Sequence, residues 1–167
     1  MPTKALEEDI LNQLEQKAGD YLEMSGNCAQ SSLLALQEQF HLGDVSTLKA
    51  VTAMLGGIAL RGETCGAVTG GLMAIGLACG REKLDDGEGL IRAIGPARRF
   101  CREFENEFGS LMCRDIQKLL FGRSFNLADP AEAEEFREAG SSKKCRVPTG
   151  KAARIAGEII MRSEKPA

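Results

Sequence analysis

Six cysteines stand in a chain of 167 residues, and they divide by position. Cys28, Cys65 and Cys113 each fall where the surrounding pattern opens a helix. Unpaired backbone amides and the positive end of the helix dipole lie there, which depresses a thiol pKa. The thiolate is the form that binds metal or attacks a disulfide. Cys145 differs, standing in KKCRVPTG, a loop expected just before the last helix. Position alone therefore favours four activated sulfurs. Between successive members lie 36, 47 and 31 residues, so no short C-x-x-C knuckle of a zinc ribbon or bacterial ferredoxin is present. Residues that begin helices of one bundle can nevertheless converge in space.

Cys79 and Cys101 read as packing residues. A continuous helix from Cys65 would carry Cys79 roughly 21 Å away, whereas sulfurs sharing one ion lie within about 4.6 Å. Cys101 sits on an apolar stripe with Ala97, Phe100, Phe104 and Phe108, where cysteine serves as a small hydrophobe. Other chemistry finds little support. His41, the single histidine, lies in a probable loop, HLGD, with no partner at a fixed spacing. Glu132, Glu134 and Glu135 read as a solvated helix face. The arginines at 98, 99 and 102 are offset by Glu103, Glu105 and Glu107, as intrahelical ion pairs would be. GGIALRG lacks the lysine and the preceding strand of a phosphate loop.

The elements that must position the thiols are helices. Leu6, Ile10, Leu14 and Ala18 share one face of a helix over about residues 4–24. Asn27 caps a second, 28 to about 40, with Gln30 in the capping-box position. Asp44 caps a third, whose Val45, Leu48, Val51 and Leu55 share a face and which Gly56-Gly57 ends. Thr64 is expected to cap a buried glycine-rich helix over about 65–79, GETCGAVTGGLMAIGLACG, with Cys65 in its first turn. Residues 85–109 are helical, with Gly95-Pro96 expected to kink or divide them. Shorter helices follow over about 113–121 and from Asp129-Pro130 to Gly140, and a last one over about 150–163. No useful strand pattern occurs, so the expected fold class is all-α, seven or eight helices in a single-domain bundle. An N-terminal amphipathic helix (1–25) precedes a four-cysteine core (26–163).

The net charge of −3 is small and the charges are mixed, leaving no nucleic-acid or membrane-surface footprint. The uncharged run over 64–80 is shorter than the ~20 predominantly apolar residues of a membrane span. MPTKALEEDILNQLEQ lacks the apolar core of a secretory signal, so the cytoplasm is the expected compartment. Clustered cysteines there point to metal or redox chemistry more than to structural bridges.

With these residues in place, the chain resembles the C_GCAxxG_C_C family of redox-active proteins. The matching stretches are GNCAQSSLLAL around Cys28, ETCGAVTGGLMAIGLACG around Cys65, EFGSLMCRDIQKLL around Cys113 and KCRVPTGKAARIAGEII around Cys145. The resemblance implies a helical protein that binds an iron–sulfur cluster for electron transfer. By that resemblance the ligands are Cys28, Cys65, Cys113 and Cys145, with Gly66, Ala67 and Gly70 of the motif beside the cofactor. Thr64 and Asn27 are expected to set the helix starts behind them. An unidentified redox partner protein is implied, and a homodimer is compatible with the glycine-lined helix. Two alternatives stay open: a thiol–disulfide oxidoreductase cycling Cys28 and Cys65 without any cofactor, and a structural zinc site.

Overall fold

Apolar residues recurring every three or four positions become eight α-helices among the described residues of the computed structural model, which describes residues 3–163. Residues 1, 2 and 164–167, which belong to the single-domain and signal-segment expectations, lie outside it. The helices are α1 (Lys4–Ser25), α2 (Cys28–Phe40), α3 (Val45–Ala50), α4 (Gly66–Cys79), α5 (Gly87–Phe108), α6 (Cys113–Phe121), α7 (Pro130–Glu138) and α8 (Ser141–Ser163). The fold is all-α, as the periodicity requires.

α8 runs against α1, α2, α4 and α5, and α2 packs between α1 and α4. Leu14, Leu33, Leu36, Ile75, Phe100, Phe104 and Ile160 fill the centre and are essentially inaccessible to solvent. Each such side chain contributes about 1.5–3 kcal/mol relative to exposure. The tightest approach joins α2 to α4: a Cβ at Gly70 would run into the Ala29 carbonyl oxygen and the Ser32 hydroxyl. Ser32 Oγ instead reaches across to donate to the Ala67 carbonyl at 3.2 Å, locking the two helices in register.

Several element boundaries depart from expectation. Gly95-Pro96 does not divide α5, which runs unbroken from its Asp86 cap to Gly109. The amide that Pro96 lacks would have faced the carbonyl of Arg92, an exposed residue that water can serve. α8 likewise begins at Ser141, nine residues before the expected start, so Cys145 lies inside a helix and not in a loop. Pro148 forfeits one bond, to exposed Lys144, while the packing of α8 on four neighbours outweighs the loss. α3 stops at Ala50 and gives way to a 3₁₀ turn, Thr52–Met54, so Leu55 is outside it.

Candidate sulfur centre

Three local devices bring the cysteines together. The first is the start of α2. Asn27 Oδ1 accepts from the Gln30 amide at 3.1 Å, as expected of a cap, and Asn27 Nδ2 donates to the Thr52 carbonyl at 3.0 Å. The reciprocal capping box does not form. Gln30 Nε2 donates instead to Leu48 O and Thr52 Oγ1, tying the start of α2 to the end of α3. Cys28 is the first residue of the helix so fixed.

The second is a left-handed turn. Gly56, Gly57, Ile58, Ala59 and Leu60 all have positive φ, between 52° and 73°. Left-handed backbone costs about 1–2 kcal/mol for each residue bearing a Cβ, and a β-branched residue such as Ile58 is a marked outlier there. Strain of this kind persists only where surrounding structure enforces it. Here the enforcement is visible: the Ala59, Leu60, Gly62 and Glu63 amides donate to the carbonyls of Ala53, Leu55, Gly56 and Gly57 at 2.8–3.1 Å. The turn aims the Gly56 amide at the Cys28 sulfur. Its Gly57 lies so close to Cys113 that an added Cβ would stand 2.7 Å from Cys113 Cβ.

The third is a backbone clasp between segments nearly 50 residues apart in the chain. Thr64 and Met112 form an isolated antiparallel bridge. The Cys65 amide donates to Leu111 O at 2.8 Å and the Cys113 amide to Glu63 O at 2.6 Å. The clasp sets Cys65 and Cys113 side by side as their helices begin. Thr64 therefore does not cap α4: the capping position is Cys65 itself, without a side-chain cap, because Thr64 is held extended by the bridge.

Cys28, Cys65, Cys113 and Cys145 all line one cavity of about 640 Å³. Cys65 and Cys113 are buried, and Cys28 and Cys145 are half-buried. The Cys65 thiol hydrogen-bonds Cys28, which, more than the amides of Gly56, Cys28 and Ala29, draws the Cys28 pKa down to about 7 against the opposing effect of burial. Cys65, the donor of that bond, is raised well above the ordinary thiol value. Burial, then the Cys28 charge, pushes Cys113 up to about 11, although Gln117 Nε2 donates to its sulfur at 3.3 Å. Burial and the Cys28 and Cys113 charges also raise Cys145. The pocket thus stabilises one negative charge and resists a second.

Gly66 and Ala67 touch this centre: a Cβ on Gly66 would overlap Cys28 Sγ, and the Ala67 amide faces the Cys65 sulfur. Gly70 lies one turn on and serves the α2–α4 approach instead. Cys79 and Cys101 are outside the cavity wall. Among the described residues no group of three or more Cys, His, Asp or Glu side chains has the closed arrangement that a single metal ion needs. Sequence reasoning missed Gln117, whose fully buried amide supports Cys113 and accepts from the Phe125 amide at 2.7 Å. Its signal was a polar residue one turn after a cysteine, on the buried face of α6. Gly56-Gly57 registered only as a helix stop.

A family model described as "Putative redox-active protein (C_GCAxxG_C_C)" matches residues 26–159. Neither a curated protein nor a solved structure matches the chain. Among the described residues no helix is long and apolar enough to cross a membrane.

Proposed function

Because the chain belongs to the C_GCAxxG_C_C family, described as redox-active, we propose that Cys28, Cys65, Cys113 and Cys145 hold an iron–sulfur cluster and that the protein transfers electrons. The single observation that carries this reading is the sorting of the cysteines: four that are remote in sequence line one cavity, and two do not. The donor set fits. Soft thiolates suit iron–sulfur units. When bound, such a cluster supplies reversible one-electron chemistry.

The chain's own residues supply the rest. Cys28 offers a thiolate near neutral pH, and the other three sulfurs release their protons as positive charge arrives. The amides of Gly56, Ala29 and Ala67, already directed at sulfur, stabilise negative charge in the pocket and so favour the reduced state. Gly66, lacking a side chain, leaves room for Cys28 to turn inward. A partner protein gives or takes the electron. A reducing compartment such as the cytoplasm keeps the thiols available. A homodimer would use exposed apolar residues such as Leu90, Ile91 and Ile94 of α5 and Met73 and Leu77 of α4.

One observation favours a second reading: Cys28 Sγ lies against Gly66, the residue beside Cys65, and Cys65 draws the Cys28 pKa down. These thiols could form a disulfide, giving two electrons and two protons to a disulfide substrate that leaves as a dithiol. Anaerobic purification with iron and sulfide analysis and a visible spectrum separates the readings. Stoichiometric iron and sulfide, with absorption lost in Cys28→Ser and Cys113→Ser alike, supports the cluster. Metal-free protein in which only Cys28 and Cys65 are needed to reduce a dithiol reporter sinks it.

A further inference from the structure

The cavity is larger than four sulfurs and a metal unit require. A cluster of a few atoms fills only part of about 640 Å³, a volume within the range of sites for drug-sized molecules. Much of the wall is apolar, with Leu22, Leu55, Leu60, Leu127, Phe136 and Pro148 among its lining residues. Two fully buried polar side chains also line it, and both are satisfied. Gln117 bonds Cys113 and the Phe125 amide, and Thr149 Oγ1 donates to the Cys145 carbonyl at 2.8 Å. Among the described residues no buried side-chain nitrogen or oxygen lacks a partner. The other polar wall residues, Arg137, Ser141 and Ser142, are half-buried or exposed, and Arg137 pairs with Glu134.

A confined water needs two to four polar partners, and a charged or strongly polar ligand needs more. The buried polar groups of this wall are already satisfied, so its apolar surface favours an occupant that needs no further polar partner there. We infer that the cavity binds a small, uncharged, apolar organic molecule against the four sulfurs. Its role as the substrate or mediator with which the centre exchanges electrons rests on the function proposed above; its binding does not. α7 contributes Ala133 and Phe136 to the lining and contains no fully buried residue, and Phe136 also packs on Phe121 and Phe125.

The test titrates the neutral fluorescent probe N-phenyl-1-naphthylamine into the reduced full chain, metal-free and iron-loaded under anaerobic conditions. Saturable one-site binding is expected in both forms. Ala133→Trp, which fills the cavity from α7, weakens it at least tenfold, while an Ile91→Ser, Ile94→Ser double variant on the exposed face of α5 leaves it unchanged. In the unmodified protein the bound probe slows maleimide labelling of Cys28 and Cys145, read by peptide mass spectrometry, and not that of Cys79 or Cys101. This arm decides the matter even where Ala133→Trp does not fold. Non-saturable binding, loss in the α5 variant, full retention in folded Ala133→Trp, absence of protection or abolition by iron loading each overturns the inference. Probe binding by a chain that takes up no iron sinks the cluster and leaves this site standing; an iron-loaded chain that ignores the probe does the reverse.

Discussion

The two ends of α4 use the same residue types to opposite effect. At its start stand Cys65, Gly66 and Gly70, all buried; at its finish stand Gly76 and Leu77, exposed, and Cys79, half-buried. Gly66 and Gly70 have no room for a methyl group, whereas a Cβ at Gly76 meets nothing within 4 Å. The first end is clasped to α6, pressed by a strained left-handed turn and lined up on a cavity. The second leaves Leu77 exposed to solvent. A cysteine or a glycine has no fixed meaning along a helix; the neighbour that other segments bring to it assigns one.

Breaking the comparison should produce graded effects. The largest concerns the sulfurs. Cys65→Ser or Cys113→Ser is expected to abolish iron incorporation, and Cys79→Ser or Cys101→Ser to retain it, as iron per protein after anaerobic reconstitution reads directly. Equal losses at both ends of α4 would erase the distinction. Next come the glycines. Gly70→Ala drives a methyl group into the backbone of α2 and should cost about 1–3 kcal/mol in denaturant unfolding. Gly66→Ala should also reduce iron uptake, because its methyl group displaces Cys28 Sγ.

The pH response is smaller and distinguishes thiols within the site. Cys28 is lowered from 9.0 to about 7, so its stabilising effect on the metal-free fold is present above the unfolded value and is lost as pH falls through about 7. Cys113, raised to about 11, contributes stability that is present below the unfolded value and lost as pH rises towards 11. The stability of the reduced, metal-free protein should therefore rise as pH goes from about 7 to 9 and fall as pH goes on from about 9 towards 11. Alkylation of Cys28 should show an inflection near pH 7 that moves upward in Cys65→Ala. An inflection unmoved by that substitution would remove the Cys65 hydrogen bond as its cause. The smallest effect lies at the far end. Gly76→Ala fills open space in a helix and should stabilise the chain by about 0.5–1 kcal/mol, a small rise in melting temperature with iron content unchanged.

Local signals made much of this legible. The stripe Leu14–Ala18, the cap at Asn27 and the Asp129-Pro130 start are short-range features, and α1, α2 and α7 form where they predict. Proline misled at position 148 and did not divide the helix at 96, because its cost in a helix is a few kcal/mol and the long-range packing of α5 and α8 exceeds it. Thr64 misled because its φ and ψ answer to a bridge with Met112, 48 positions away.

By itself the sequence determined the helices and which cysteines stand at helix starts, since periodicity, caps and the dipole all act within a turn or two. Only the tertiary structure decided that four of the sulfurs share a cavity, that Cys145 reaches it from inside α8, and that Gly56-Gly57 leads a left-handed turn aimed at Cys28. Those facts depend on contacts between segments tens of residues apart, whose closure is set by packing free energy summed over the whole bundle and not by any local pattern.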